Sequence, residues 1–429
     1  MNSKRILFAI ATITFTFFNG SAFQTTQDDF VEYRGRIVES KSEKPLALAS
    51  IGIEGTNVST VSNTEGSFLL KIPNKMLNGN VVVSFLGYES KTIPISQLDK
   101  SDTTIKLKVS FTQLSSVNVN APKSAEALIR EVLQKRGENY LGDNTVMTAF
   151  YRETIKKRRK NVSLSEAVVN IYKAPYYSQR NDAMKLFKAR KSTDYTRLDT
   201  VALKLQGGPF NALYVDIMKY PEFIFIDGKV DEYEFKFDRS TYINDRLVYI
   251  IHFNQIPTIS NPLYKGKLYV DVENKTLTSA VYELNITNKE LASRLFVRKK
   301  PAKVDVWPTE IAYRVDYREK DGKWHYSYSN VMMEFKIDWK GKLFNSAYTM
   351  AAEMAVTDWK TNTTGELPKN KEKIKRSIIL SDENIGFTDP DFWGEYNIIE
   401  PEKSIESAIK KIQRQLRRAN RNGAAGAAR

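Results

Sequence analysis

Tyr33-Arg34-Gly35-Arg36-Ile37-Val38 opens the stretch whose reading decides the fold. It continues through Pro45-Leu46-Ala47-Leu48-Ala49-Ser50-Ile51-Gly52-Ile53, Asn63-Thr64-Glu65-Gly66-Ser67-Phe68-Leu69-Leu70 and Val81-Val82-Val83-Ser84-Phe85-Leu86-Gly87-Tyr88. Short β-branched runs separated by Gly, Asn and Pro at this spacing are the pattern of a small antiparallel sandwich. Strands are expected at residues 33–38, 48–54, 59–62, 67–72, 81–85, 90–95 and 103–109. Alternation in Ser50-Ile51-Gly52-Ile53 and Ile105-Lys106-Leu107-Lys108-Val109 gives each sheet one wet face. Asn63 to Gly66 reads as a turn: Asn63 bonds its own downstream backbone, Gly66 takes a positive φ, and Phe68 then points into the core.

At Gly35-Arg36-Ile37-Val38, Pro45-Leu46, Ala49, Gly55-Thr56, Asn63-x-x-Gly66-x-Phe68 and Phe85-Leu86-Gly87-Tyr88 the chain resembles the carboxypeptidase-regulatory-like domain, a transthyretin-like fold of seven strands. The resemblance covers residues 31–110. One departure is Asn63, where that family usually carries Asp. The same domain stands at the front of many TonB-dependent receptors of bacteria. Gln113-Leu114-Ser115-Ser116-Val117-Asn118-Val119 looks like the segment before a receptor plug, but too few residues follow for a plug and a large barrel. The domain also accompanies zinc carboxypeptidases, whose His-rich metal site is not matched here. His252 and His325 are the two histidines, and neither has a His-x-x-Glu spacing.

Composition narrows the setting. A chain of 429 residues, 41% hydrophobic and 11% aromatic, implies two or three folded units with real cores. It has no cysteine, so no disulfide, thiolate metal site, cysteine nucleophile or lipidated-cysteine anchor is available. Residues 1–22 read as a signal peptide: Lys4 and Arg5, an apolar run at 6–18, then Gly20-Ser21-Ala22. No later stretch has the length of a membrane-spanning helix. The expected location is therefore the periplasm or the outer membrane, as an exported protein that is not a lipoprotein. The net charge of +15 is dispersed among 50 acidic residues. The charge reads first as a solvated mixed-charge surface, and as partners anionic headgroups or surface glycans suit it better than nucleic acid.

A junction helix is expected over residues 122–137. Ser124 is its N-cap, and Ala125, Leu128, Ile129, Val132 and Leu133 form one apolar face. Residues 145–356 then read as an antiparallel β-meander, curved like a half-barrel, with turns at Asn244-Asp245, Glu273-Asn274-Lys275 and Lys320-Asp321-Gly322-Lys323. Strands are expected at 148–154, 163–172, 233–243, 247–254, 266–272, 277–285, 309–319 and 324–336. Residues 185–220, with Lys, Arg and Asp followed by Gly207-Gly208-Pro209-Phe210, read as an insertion or lid of helix and loop. Tyr264 to Asp271 with Leu277 to Ala280 resembles the half-barrel of bacterial lipoprotein carriers. Its apolar face would either hold an acyl chain or pack the protein's own helix. The many aromatics of this region, Tyr172 to Tyr328, fit sheet packing or a sugar or lipid platform.

No catalytic constellation emerges. His252 lies between Ile251 and Phe253 and reads as a satisfied core histidine, and His325 has no fixed acidic neighbour in sequence. Asp227 with Asp231, and Asp389 with Asp391, fall in turn contexts where Asp is common for backbone reasons. No Gly-x-Ser-x-Gly elbow or phosphate loop occurs. Residues 357–385 are expected as a polar loop. Residues 386–429 hold an aromatic docking segment (Phe392 to Pro401), a helix capped by Ser404 and a basic tail. The fold class expected is mainly β, a seven-stranded sandwich followed by a larger meander with a few helices. The expected function is non-enzymatic binding of a hydrophobic ligand, a protein or a glycan at the outer membrane, with no cofactor or metal. The alternatives are a hydrolase of an envelope substrate and a structural or adhesive surface protein.

Overall fold

A computed structural model describes residues 29–110, 124–158, 160–193, 207–243, 246–297, 300–341, 343–380 and 393–402. The expected signal peptide, the segment at 113–119, the Asn244-Asp245 turn, Asp389, Asp391 and the terminal helix and tail lie outside the described residues.

The first unit has seven strands: β1 (Phe30–Glu39), β2 (Ser50–Ile53), β3 (Ser59–Val61), β4 (Ser67–Pro73), β5 (Asn80–Ser84), β6 (Lys91–Pro94) and β7 (Thr103–Leu107). They form a three-stranded sheet in the order β4-β1-β7 and a four-stranded sheet in the order β3-β2-β5-β6. Ile37, Ile51, Phe68, Leu70, Val81, Val83 and Ile105 fill the space between them. The turn at Asn63 has the expected chemistry. Asn63 Oδ1 accepts from the backbone of Glu65 at 2.9 Å and Ser67 at 3.0 Å. Gly66 sits at φ +76°, where a Cβ would also lie 2.6 Å from the Ile37 carbonyl oxygen, so both torsion and space require glycine.

Helix α1 (Ala125–Gln134) follows, capped by Ser124 Oγ, which accepts from the Ala127 amide, and α2 (Arg136–Asn139) continues it. Ala125, Leu128, Ile129 and Val132 are buried against the second unit, as the helical spacing requires.

The second unit is one open antiparallel sheet of ten strands: β8 (Thr145–Lys157), β9 (Lys160–Lys173), β10 (Ala183–Thr193), β11 (Tyr233–Ile243), β12 (Arg246–Gln255), β13 (Tyr264–Asp271), β14 (Leu277–Leu284), β15 (Val304–Lys320), β16 (Lys323–Trp339) and β17 (Ser346–Thr361). Their order is β10-β9-β8-β17-β16-β15-β14-β13-β12-β11, which leaves β10 and β11 as edges. The chain meanders from β11 to β17, and β17 then pairs with β8. The Asp321-Gly322 hairpin has φ +51° and +76° at its two central residues, the left-handed pair that matches strand twist.

Two expectations are corrected. Residues 185–193 are not the start of a loop insertion. They belong to β10, whose Arg190 is buried because Glu166 on the adjacent β9 neutralises it at 2.6 Å. The polar loop starts later than residue 357, since β17 runs through Thr361 and pairs with Thr145 of β8. Residues 207–232 are helix and turn: α3 (Pro209–Leu213) and three 3-10 turns precede β11. Helix α4 (Lys289–Phe296) links β14 to β15.

The sheet has two dry faces. One packs against α1, α3 and the turns after it, through Met147, Tyr151, Val169, Tyr326 and Met354. The other carries Phe150, Val168, Tyr328 and Ala355, which meet Val61 and Leu69 of the sandwich and Trp393, Ile398 and Ile399 of the C-terminal segment. Burial on both faces also encloses polar residues of the central strands, among them Arg152, Glu153, Ser165 and Glu166.

Candidate functional site

The sheet face expected to hold an acyl chain is filled by the chain itself. Phe210, Leu213, Val215, Ile217, Met218, Ile224 and Phe225 lie in the same core as the strands beneath them. A group of buried charges fixes this plug. Lys173 on β9 places Nζ 2.9 Å from Asp182 Oδ2 and 2.7 Å from Asp216 Oδ2, with all three side chains enclosed. Asp216 also accepts from Tyr176 at 3.1 Å and Tyr317 at 2.9 Å. Burial opposes the Lys173 charge, but Asp182 and Asp216 outweigh it and hold its pKa above the ordinary lysine value. Lys219 donates to the carbonyls of Pro175 at 2.8 Å and Ser178 at 2.6 Å, and burial lowers its pKa to about 8. Every polar group in the cluster has a protein partner, and Asp182 also lines an open cleft of about 510 Å³ together with Arg180, Phe210 and Arg376. The arrangement clamps residues 207–220 to the sheet. Sequence reasoning missed it because Lys173 and Asp216 lie far apart in the chain. The signal it left is an acid set among apolar neighbours, Val215-Asp216-Ile217-Met218.

The two histidines are held in opposite ways. His252 is not a core residue. Ile251 and Phe253 point inward, and His252 alternates to the exposed face, its Nε2 2.8 Å from Asp238 Oδ2. Lys236 and Lys267 flank it in register on the neighbouring strands. His325 is the buried one. Its Nε2 accepts from Trp359 Nε1 at 3.1 Å, and burial, then the charges of Arg318 and Lys320, lower its pKa to about 3. It is neutral at physiological pH and has no carboxylate partner among the described residues. Asp231 lies in an exposed 3-10 turn. No group of three or more His, Asp and Glu side chains is placed to hold a metal ion among the described residues. Most of the aromatics serve packing: Tyr176, Tyr220, Phe225, Trp324, Tyr326 and Tyr328 are buried, while Tyr177 and Phe223 stay exposed.

Two further cavities lie where units meet. A space of about 50 Å³ sits between the sandwich and the sheet, lined by Ser50, Ser84, Arg314, Asp316 and Arg318 among others. A wider trough of about 560 Å³ runs between Lys71, Lys75, Thr148, Asp358 and Tyr396.

One end of the sheet has a different character. The β16–β17 hairpin tip presents Leu343 and Phe344, which are 93% and 79% exposed, more than any other large hydrophobic side chain described. The β8–β9 turn lies beside it, since Arg158 N donates to Ala347 O at 2.9 Å. The start of β15 lies on its other side, since Lys340 N donates to Lys303 O at 3.0 Å. Arg158, Lys160, Lys303 and Lys340 are all exposed around this tip. The registered acids Asp305 and Asp338 stand further in, and Asp305 is paired with Lys300.

Residues 33–119 match the CarboxypepD_reg-like domain. The match falls on the unit that forms the seven-stranded sandwich and covers about a fifth of the chain. No curated protein matches. Among solved structures, an outer membrane lipoprotein-sorting protein domain from Vibrio parahaemolyticus is similar at 10% identity and a TM-score of 0.24, covering 58% of this chain and 95% of that one. A DUF1329 family protein from Desulfovibrio piger has 10% identity and a TM-score of 0.23, with 56% and 92% covered. A LolA superfamily protein from Nitrosomonas europaea has 11% identity and a TM-score of 0.20, with 60% and 100% covered. Scores this low carry no argument about function. No described helix is long and apolar enough to cross a membrane.

Proposed function

We propose that the protein is an exported, non-enzymatic envelope protein that docks peripherally on an anionic membrane surface through the end of its sheet bearing Leu343 and Phe344. The observation that carries this reading is the exposure of those two side chains within a ring of cations. Two adjacent apolar residues left almost wholly in water cost free energy that a soluble surface has no reason to bear, and a bilayer interface recovers it. Burying each supplies on the order of 1.5–3 kcal/mol. Each Lys or Arg beside anionic lipid adds roughly 1 kcal/mol. The expected binding of a hydrophobic ligand on the sheet loses support because residues 207–225 fill the face it requires. The sandwich, packed on the other side of the sheet, would remain in solution to meet a protein or glycan.

The reading is tested by flotation with phosphatidylglycerol-containing and purely zwitterionic vesicles. Binding to the anionic vesicles alone, weakened by salt and abolished in a Leu343→Asp/Phe344→Asp variant, is expected. Equal flotation of the variant would refute it.

A further inference from the structure

We infer that the cavity between the sandwich and the sheet is a binding site for a small oxyanion, a phosphate or carboxylate group, with Arg318 as its principal donor. This goes beyond membrane docking and does not depend on it. Arg318 projects from β15 toward β2, and its guanidinium lies against the backbone of Gly52: a Cβ there would stand 3.1 Å from Cζ and collide with Nη2. Yet the guanidinium has no hydrogen bond or ion pair with any described residue. A half-buried group with five donors and no acceptor is costly, and proteins rarely leave one so. Burial alone shifts its pKa, down to about 10, so the charge persists at neutral pH.

The surroundings are arranged for the same ligand. Ser50 and Ser84 are directly paired across β2 and β5, line the cavity, and have hydroxyls with no partner among the described residues. Other hydroxyls of the lining are already engaged, Ser59 with the Val356 carbonyl at 3.2 Å and Ser279 with Asp316 at 2.6 Å. Arg314 supplies a second positive charge, and Asp316 is held by Arg314 at 2.8 Å and does not reach Arg318. Two arginines against one aspartate leave the site net positive. A space of about 50 Å³ exceeds what one water needs and suits a compact group gripped by a guanidinium fork and two hydroxyls.

The test is thermal unfolding of the full chain in buffer with chloride alone, then with inorganic phosphate or acetate titrated in at constant ionic strength. Wild type is expected to gain Tm along a saturating curve with at least one of the two anions, and the identity of that anion separates phosphate from carboxylate recognition. Arg318→Met is expected to lose the saturating response while keeping the shallow, non-saturating rise that excluded salts give any protein. Ser84→Ala, a milder change, is expected to shift the midpoint of the curve to higher anion concentration. A wild-type response that does not saturate with either anion, or one that survives unchanged in both variants, would overturn the assignment.

Discussion

The Asn397 side chain clasps the backbone of Lys71 from both sides: Lys71 N donates to Asn397 Oδ1 at 2.7 Å, and Asn397 Nδ2 donates to Lys71 O at 3.2 Å. Lys71 lies on β4, an edge of the three-stranded sheet. Asn397 thus behaves as one residue of an added strand, covering an otherwise open edge. The C-terminal segment that carries it also receives Arg152 Nη2 at the Ile399 carbonyl, 2.7 Å away, and Thr60 Oγ1 at the Ile398 carbonyl, 2.9 Å away. It therefore mortars the sandwich to the sheet. Asn397→Ala leaves a buried amide and carbonyl unpaired and is expected to cost about 1–3 kcal/mol in urea unfolding. A change within error would show that the segment lies on the surface without holding it.

The same segment explains the departure of Asn63 from the Asp usual in the regulatory-like family. Asn63 Oδ1 makes the turn, as Asp would, but Nδ2 donates to the Glu400 carbonyl at 3.0 Å. A carboxylate there would face a carbonyl oxygen. Asn63→Asp, although it restores the family pattern, is expected to destabilise by roughly 1–3 kcal/mol. Neutral or stabilising behaviour in chemical denaturation would contradict this role of the amide.

Asp216 is the keystone of the internal plug. Asp216→Ala removes one of the two carboxylates on a fully enclosed lysine and the acceptor of two tyrosines, with an expected loss of about 3–5 kcal/mol. By contrast Glu126→Gln, which breaks the exposed Arg130 pair on α1, is expected to change stability by less than ~0.5 kcal/mol. Similar small losses for both would mean that the charges do not hold the plug.

His325 gives stability a pH dependence of defined sign. Its folded pKa, about 3, lies below the ordinary value of 6.5. Between those values the unfolded chain binds a proton that the folded chain refuses. Stability contributed by the neutral ring is therefore complete above pH 6.5 and declines as pH falls toward 3, by at most ~1.4 kcal/mol per pH unit. Comparing wild type with His325→Gln between pH 7 and pH 5 isolates the effect from the carboxylates, which titrate lower. The wild-type curve should fall more steeply, and parallel curves would contradict the assignment.

The sandwich was legible because its information is local. Each strand has its own alternation, and Asn63-Thr64-Glu65-Gly66 carries its own turn chemistry, so observed strand ends fall close to the expected ones. Strand β11 was legible over residues 233–243 for the same reason. Strand β10 was not, because Lys185, Lys188 and Arg190 look like solvent residues until Glu166, 24 positions earlier, is brought beside Arg190. His252 was misread because alternation, which placed Ile251 and Phe253 inward, must place the residue between them outward. The plug over residues 207–220 was legible as helix and loop. Its attachment was not, since that depends on Lys173 at the end of β9 and Asp182 just before β10, both earlier in the chain. The hairpin at Leu343-Phe344 has two apolar residues in a polar turn, and only the structure shows that no described residue covers them.

The central claim is that the β16–β17 tip enters a membrane interface. With no cysteine in the chain, Asn345→Cys can carry a single polarity-sensitive fluorophore next to Leu343 and Phe344 without altering either. On adding phosphatidylglycerol vesicles, emission should shift to the blue and be quenched by lipids brominated along the acyl chain, while the same label at Tyr177→Cys should not respond. Binding of the protein with an unshifted, unquenched label at position 345 would contradict the account.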